Sequence, residues 1–303
     1  MKHLLSINDL THEEIISLLD RADDLKEKRK RGKIITRELE HKTLVMLFEK
    51  SSTRTRISFE VAMRELGGGS IYLNPADTQL GRGESIADTA KVVSRYAHAV
   101  AARVNHHSTL VELAEHSTIP VINALSDIEH PCQLLADLMT IREYKGHLKG
   151  LTLSWIGDGN NVCNSAILAC SLEGIHINIA TPRGYEPDQN IVIQARELGG
   201  SITLTDNPED AAAGADVLYT DVWVSMGNEA ETMKRLNDFK EYQINSKLLQ
   251  HAKNNVTVLH CLPAHRGEEI TGDVADGQHS AILDQAENRL HTQKALLLYT
   301  QHE

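Results

Sequence analysis

Short apolar runs alternate with longer segments of helical spacing along the chain. Their Val, Ile and Leu residues follow one another directly, which is typical of parallel strands that helices cover on both faces. Four runs fall in the first half, at residues 41–49, 70–74, 98–104 and 119–125. Four more fall in the second half, at residues 151–158, 176–182, 215–223 and 256–263. The pattern predicts an α/β fold of two doubly wound domains, each with a central parallel sheet.

Helical spacing is clearest at the start and in the middle of the chain. Residues 11–32 combine an apolar stripe with a capping-box pair, Thr11 and Glu14, and they end in a run of Lys and Arg. Cations suit the last turn of a helix, so this basic run does not indicate a nucleic-acid site. Residues 132–150 predict a helix that leads from one domain to the other. The polar stretch 224–242 fits either a mobile loop or a solvated surface segment.

Composition limits the partners of the chain. Its 303 residues carry 31 Lys and Arg against 42 Asp and Glu, which gives a net charge of −11. This acidity argues against a nucleic-acid or anionic-membrane partner, but it is compatible with a local site for a small anion. We find no signal peptide or membrane-spanning run, and the four cysteines are scattered along the sequence. A cytoplasmic protein with reduced thiols is expected.

Polar residues after the first strand suggest an anion site. Ser52, Thr53, Arg54 and Thr55 stand at the predicted start of a helix, where backbone N–H groups, hydroxyls and guanidinium groups bind a phosphate or a similar oxyanion. A capped helix with exposed arginines is the plainer alternative, and the P-loop pattern is absent. Arg103 ends the third run and is expected to face the same anion, because a buried arginine is costly when it lacks one.

The middle and second half of the chain offer neutral donors and an acidic group. His130 and Gln133 begin the linking helix, where they could polarise a carbonyl oxygen, although a lone histidine there would more often be structural. Asn161 could bind a carboxylate, Asp221 an ammonium group and Cys261 an amine. The glycine pattern of residues 157–162 lacks the third glycine of a dinucleotide fingerprint. The His and Cys spacings do not match a structural zinc site, so no metal is expected.

Seven segments resemble those of the aspartate/ornithine carbamoyltransferase family and occur in the family's order. They are FEKSSTRTRISFE (48–60), DTQLGRGES (77–85), HPCQLLAD (130–137), WIGDGNNV (155–162), DVWVSMG (221–227), HCLP (260–263) and ENR (287–289). Together they extend over nearly the whole chain. The resemblance implies transfer of a carbamoyl group from carbamoyl phosphate to the δ-amino group of L-ornithine, which gives L-citrulline and phosphate without a cofactor.

The resemblance also implies a role for individual residues. Carbamoyl phosphate is expected on Ser52, Thr53, Arg54, Thr55, Gln79, Arg103, His130, Gln133, Cys261, Leu262 and Arg289. The expected catalytic residues are Arg54, Arg103, His130 and Cys261. Ornithine is expected on Asn161, Asp221, Ser225 and Met226. Four arginines, Arg54, Arg56, Arg103 and Arg289, are expected to gather around one small dianion.

The family architecture predicts how the two domains divide the substrates. Residues 1–133, joined by a returning C-terminal helix at 288–303, form the expected carbamoyl phosphate-binding domain. Residues 134–287 form the expected ornithine-binding domain. Gln79 is expected to reach the active site of a neighbouring subunit, which implies a homotrimer or a multiple of trimers.

Several alternatives stay open on the sequence alone. A sister enzyme could carbamoylate another amine, but Gln79 and the sequence Ser225-Met226-Gly227 disfavour aspartate. The same sequence, with Asn161 and Asp221, disfavours putrescine, and acetylornithine is a weaker alternative. A two-lobed binding protein would usually be exported, and a nicotinamide oxidoreductase would need the glycine that Val162 replaces. The direction of flux, arginine biosynthesis or catabolism, is not determined by these motifs.

Overall fold

The structure is a computed structural model that describes residues 2–74, 78–79, 83–224 and 231–302. The chain forms two compact units, of which unit 1 is Met1–Ala136 with Glu287–Glu303 and unit 2 is Asp137–Ala286. The units thus divide after residues 136 and 286, where the sequence predicted divisions after 133 and 287. Among the helices of the described residues, none is long and apolar enough to cross a membrane.

Unit 1 is built on a parallel sheet. Within its described residues the strands are β1 (Thr43–Phe48), β2 (Gly69–Leu73), β3 (Ala99–Arg103) and β4 (Val121–Leu125), in the order β2-β1-β3-β4. The helices are α1 (His12–Lys30), α2 (Thr53–Glu65), α3 (Ile86–Tyr96) and α4 (His107–His116), and α5 (Pro131–Lys145) starts in this unit. The predicted capping box of α1 is confirmed, since Thr11 and Glu14 each bond the other's backbone N–H.

Unit 2 is built on a second parallel sheet. Its described strands are β5 (Thr152–Ile156), β6 (His176–Ala180), β7 (Ile202–Thr205), β8 (Val217–Thr220) and β9 (Thr257–His260), in the order β7-β6-β5-β8-β9. The helices are α6 (Asn161–Glu173), α7 (Gln189–Glu197), α8 (Pro208–Ala212), α9 (Thr232–Asp238), α10 (Ser246–Leu249) and α11 (Gly272–Ala275). The last helix, α12 (Ile282–His302), starts in unit 2 and continues into unit 1.

The predicted fold class, two parallel sheets in an α/β chain, is confirmed. Strand β7 is the element that the apolar pattern missed. It lies at the edge of its sheet, and its two central residues are exposed, so it shows no continuous apolar run. By contrast, β3 and β8, which lie inside the sheets, are buried along their whole length.

Each sheet has one point where the strand order reverses. In unit 1 the chain moves from β1 outward to β2 and then returns to β3 on the other side. In unit 2 it moves from β5 outward through β6 and β7 and returns to β8. Ligands of open parallel sheets bind outside the carboxyl ends of the strands at such points. Ligand-binding residues are therefore expected after β1 and β3 and after β5 and β8.

Candidate active site

The first candidate site begins where β1 leads into α2. Ser52 caps this 13-residue helix, because its hydroxyl accepts a hydrogen bond from the Thr55 N–H at 3.4 Å. Arg54 is exposed in the first turn, whereas Thr55 is buried. Such a helix start presents backbone N–H groups and the positive end of the helix dipole to an anion. Ser52, Thr53, Arg54 and Thr55 thus stand in the local arrangement that the sequence predicted.

Arg289 connects three helices of unit 1. It lies on α12 and is almost fully buried, and its Nη1 donates to Gln133 Oε1 of α5 at 2.6 Å. Its Nη2 donates to Thr55 Oγ1 of α2 at 3.1 Å. The structure therefore brings together three predicted site residues that are far apart in sequence.

His130 lies close enough to Arg103 and Arg289 for their charges to act on it. Burial lowers the pKa of His130 well below its ordinary value, and the two guanidinium groups lower it further. The ring is therefore neutral near pH 7 and can donate a hydrogen bond without carrying a charge. Arg103 is the last residue of β3, on the other side of the point where the order of the first sheet reverses.

Two other predicted residues of unit 1 have different surroundings. Arg56 donates to Glu60 Oε1 at 2.8 Å, and its guanidinium carbon lies 4.0 Å from the centre of the Tyr72 ring. The guanidinium expected at the dianion is thus engaged with Glu60 and Tyr72. Gln79 is exposed, and its carbonyl accepts a hydrogen bond from the Glu84 N–H at 3.0 Å.

The second candidate site is centred on Asp221, which follows β8 and is buried. Its Oδ2 accepts a hydrogen bond from Asn160 Nδ2 at 2.8 Å. Its Oδ1 accepts from the Cys261 thiol at 2.9 Å and from the Val222 N–H at 2.8 Å. The structure thus joins the predicted residues Asp221 and Cys261 within unit 2, with the carboxylate fixed by three donors.

The contact of Asn160 with Asp221 was not predicted from the sequence, where its neighbour Asn161 was the candidate. The Asn160 side chain caps α6 by accepting from the N–H groups of Val162 and Cys163 at 3.0 and 3.1 Å, and its amide nitrogen reaches Asp221. Asn161 is the first residue of α6 and is half-buried. The preference for Asn at the N-cap was the signal that could have found Asn160.

A buried ion pair supports the same end of the sheet. Arg235 of α9 donates through Nη1 to Asp158 Oδ2 and to the Trp223 carbonyl, both at 2.9 Å. Burial raises the pKa of Asp158 to about 6, although Arg235 opposes that shift. Gly159 has no room for a side chain, since an added Cβ would lie 2.3 Å from the Pro187 nitrogen. The contacts of Arg235 thus hold the chain at Asp158, two residues before Asn160, and at Trp223, two residues after Asp221.

The residues after β9 are held by a buried histidine. His260 Nδ1 accepts from the Leu262 N–H at 2.9 Å, so Nε2 carries the proton and donates to Glu269 Oε1 at 2.9 Å. Leu262 has a φ of +60°, a left-handed conformation that is uncommon outside glycine. The His260 N–H also donates to Gln285 at 2.9 Å. Cys261 and Leu262 are thus positioned within unit 2, and the predicted residues Ser225 and Met226 lie outside the described residues.

Among the described residues, two groups of side chains could hold a metal ion. Asp221, His260 and Cys261 form one group of neighbouring donors, and His265, Glu268 and Glu269 form another. In the first group the thiol bonds Asp221 and both ring nitrogens of His260 have partners. This group is therefore a hydrogen-bonded network whose donor atoms are already engaged.

Comparison with known sequences identifies the family. Residues 2–143 match the sequence model of the aspartate/ornithine carbamoyltransferase carbamoyl-P binding domain, and residues 149–300 match that of the aspartate/ornithine carbamoyltransferase Asp/Orn binding domain. This chain belongs to the aspartate/ornithine carbamoyltransferase family. The resemblance found in the sequence motifs is thereby confirmed.

Individual carbamoyltransferases of this family are similar over their full length. An ornithine carbamoyltransferase of Methanosarcina mazei is 58% identical, covering 98% of both chains. One of Archaeoglobus fulgidus is 56% identical, covering 98% of this chain and 97% of the relative. The solved structure of the ornithine carbamoyltransferase from Pyrococcus furiosus has a TM-score of 0.95 at 52% identity, covering 99% of this chain and 97% of that one.

The family division and the folded units differ at one predicted site residue. Arg289 falls within the residues that match the Asp/Orn binding domain, whereas the structure places it in unit 1. It does so because α12 leaves unit 2 before that residue is reached. In this carbamoyltransferase the last segment of the chain thus contributes Arg289 to the candidate site at the start of α2.

Proposed function

We propose that this chain transfers the carbamoyl group of carbamoyl phosphate to the δ-amino group of L-ornithine, giving L-citrulline and phosphate. The observation that carries the proposal is the opposite chemistry of the two candidate sites. Unit 1 gathers Arg103, Arg289 and neutral His130 near the start of α2, which suits an anion. Unit 2 holds the buried carboxylate of Asp221, which suits the ammonium group of an amino acid.

Carbamoyl phosphate is assigned to unit 1. Its phosphate receives hydrogen bonds from the start of α2 and the side chains of Ser52, Thr53, Arg54 and Thr55. Gln133 is held in place by Arg289 and faces the carbamoyl end. Gln79 completes the assignment in unit 1, and the family resemblance assigns Cys261 and Leu262 of unit 2 to the same substrate.

The reaction needs stabilisation of negative charge on the carbamoyl oxygen. The neutral δ-nitrogen attacks the carbamoyl carbon, a C–N bond forms, and the bond from that carbon to the phosphate oxygen breaks. Arg103, His130 and Thr55 stabilise the charge that grows on the carbonyl oxygen. The proton of the amine leaves on the phosphate. His130 acts as a hydrogen-bond donor in this scheme, because its lowered pKa keeps the ring neutral and a neutral ring retains one N–H.

Ornithine is assigned to unit 2. Asp221 receives the α-ammonium group, and Asn161 binds the α-carboxylate at the start of α6. Ser225 and Met226 complete the assignment. Holding both substrates in a reactive arrangement lowers the activation free energy by several kcal/mol, which is the order of magnitude known for well-oriented reactants.

The decisive experiment is an acceptor comparison. The purified protein is incubated with carbamoyl phosphate and, in turn, ornithine, aspartate, putrescine and acetylornithine, and the ureido product is measured. Ornithine is expected to give the highest kcat/KM. Product with none of the amines would reject transferase activity, whereas a preference for another amine would reject only the assignment of ornithine.

A homotrimer, or a multiple of trimers, is proposed as the working form, with Gln79 entering a neighbour's site. Support comes from exposed apolar side chains of unit 1, including Ile71, Val92 and Tyr96.

The test mixes Gln79→Ala chains with Asp221→Asn chains after dissociation and reassembly. Activity above that of either variant alone is expected, because some sites then receive both intact residues. Failure to complement in reassembled oligomers would contradict the shared site.

Cytoplasmic arginine metabolism is the proposed setting.

A further inference from the structure

A tight turn after the loop of Cys261 and Leu262 carries three metal-ligating side chains. Residues 266–270 form the turn, and Gln243 Nε2 donates to the carbonyls of Gly267 and Glu268 at 3.0 and 2.7 Å. His265 Nδ1 lies 3.7 Å from Glu268 Oε2 and 3.8 Å from Glu269 Oε2. One donor atom from each of these three residues lies within 4.8 Å of the other two. The turn thus brings an imidazole and two carboxylate groups close together.

The Glu269 carboxylate provides an independent sign of a ligand. Its side chain is 0% exposed, and Oε1 accepts from His260 Nε2 at 2.9 Å and from the His265 N–H at 2.6 Å. Oε2 is also buried, but it has no hydrogen-bond partner among the described residues. Buried carboxylate oxygens are normally hydrogen-bonded, paired or bound to a metal. The oxygen that lacks a hydrogen-bond donor is the one that faces His265.

We propose that His265 Nδ1, Glu268 Oε2 and Glu269 Oε2 bind a first-row divalent metal ion. Ligands at about 2.0–2.2 Å from a common ion lie roughly 3–3.5 Å from each other. His265 Nδ1 must therefore approach each carboxylate by a few tenths of an ångström. The two carboxylates, whose donor atoms lie within 4.8 Å of each other, must close by up to about 1.5 Å. One neutral imidazole and two carboxylates suit Mn²⁺, Co²⁺ or Zn²⁺, with water at the open positions. The contraction is accessible because the His265 and Glu268 side chains are 48% and 41% exposed and can turn.

The buried ligand is already held in the way that metal ligands are. Its Oε1 is fixed by His260, whose other nitrogen accepts the Leu262 N–H. Hydrogen bonds to the second atom of a ligating group orient that group and raise metal affinity. A bound ion would therefore rest on the same scaffold that positions Cys261 and Leu262.

Cobalt titration of the whole protein tests the site. Co²⁺ is added to metal-free protein, and binding is followed by calorimetry and by the visible spectrum. We expect one ion per chain, a d–d band, no thiolate-to-cobalt charge-transfer band and a rise in the midpoint of thermal unfolding. A charge-transfer band would place the ion on Cys261 and overturn the proposal. Absence of binding would also overturn it and leave His265 as a neighbour of the two carboxylates.

Matched variants separate the site from general surface binding. His265→Gln and Glu268→Gln are each expected to weaken Co²⁺ binding roughly tenfold or more. The control is His251→Gln, because His251 Nε2 lies 3.9 Å from Glu209 Oε1 in a similarly exposed pair. Equal weakening in the control would contradict the proposal. Urea unfolding of each metal-free variant reports on folding, so a loss of affinity in a variant of unchanged stability belongs to the site.

Discussion

Arg289 shows how one side chain can organise a binding site before any ligand arrives. Its two terminal nitrogens are directed at Gln133 and Thr55, so the guanidinium group has a fixed plane and the two neutral partners have fixed orientations. Arginine is suited to this work because its donors form a rigid fork, which lysine lacks. The site can therefore meet an anion with little reorganisation.

Replacement of Arg289 by Lys keeps the charge and removes the fork. We expect the KM for carbamoyl phosphate to rise roughly ten- to a hundredfold, since a lost hydrogen bond to a charged group costs about 1.5–3 kcal/mol. Steady-state kinetics at saturating amine give the measurement. Arg56→Lys is the control, and because Arg56 is engaged with Glu60 and Tyr72 it should change that KM little. A larger effect at Arg56 would show that our assignment of the two arginines is reversed.

His130 predicts a pH dependence of stability. Its folded pKa lies well below the ordinary value, so between about pH 7 and 5 the unfolded chain takes up a proton that the folded chain does not. This contribution to stability is present above the unfolded pKa and is lost as the pH falls. Between pH 7 and 5 the wild type should lose about 1–2 kcal/mol more of its free energy of unfolding than His130→Gln.

Urea titrations at several pH values measure this difference. Exposed His106 provides the control, since His106→Gln should follow the wild type throughout. Identical pH profiles for the wild type and His130→Gln would mean that the pKa of His130 is the same in the folded and the unfolded chain.

At the scale of elements, apolar runs predicted the strands well where both faces are buried. They missed β7, an edge strand with exposed central residues. Local patterns also located the starts of α1 and α2, because a capping residue and its partner stand three positions apart. They could not reveal that Arg235 reaches Asp158, since these residues are 77 positions apart and belong to α9 and the end of β5.

The Asp158–Arg235 pair predicts a pH-sensitive loss of stability. Arg235→Gln leaves a buried carboxylate without its cation, which should destabilise the protein by about 3 kcal/mol at pH 8. Arg235 lowers the pKa of Asp158, which is about 6 in its presence, so that pKa rises when Arg235 is removed. At pH 5 the carboxyl is then protonated, no charge is left unpaired, and the loss should shrink.

Urea unfolding at both pH values tests this expectation. Arg183→Gln is the matched control, because Arg183 pairs with Asp206 on the exposed surface of the same unit. Surface pairs contribute little, so this variant should unfold like the wild type. Equal losses in the two variants, or a loss at Arg235 that is independent of pH, would contradict the role of the buried pair.

At the scale of the molecule, each unit has a candidate site where the strand order of its sheet reverses. The sequence predicted the residues after β1, β3, β5 and β8, because motifs at strand ends are local. It did not predict the network around Asp221, since Asn160 and Cys261 come from segments that only the folded sheet brings together. Long-range contacts of this kind depend on the order and connections of the strands, whereas the apolar pattern predicts only the fold class.

Candidate sites in separate units predict separate responses to ligands. Inorganic phosphate should raise the midpoint of thermal unfolding of the wild type and of Asp221→Asn, because the contacts that we propose for it lie in unit 1. The rise should be lost in Arg54→Ala. Thermal unfolding followed by circular dichroism gives the measurement. Loss of the phosphate effect in Asp221→Asn, with the effect kept in Arg54→Ala, would place the anion in the other unit.

The passage of α12 from unit 2 into unit 1 also bears on biosynthesis. The ribosome makes residues 287–303 after all of unit 2, so the nascent first unit waits for them while 150 residues are added. At about 5–20 residues per second this interval lasts roughly eight to thirty seconds. During it, Glu65 lacks the Lys294 ammonium that pairs with it at 2.8 Å in the finished fold. A stop codon between residues 286 and 289 would leave every residue of unit 2 in place and would remove Arg289 and Lys294 from unit 1.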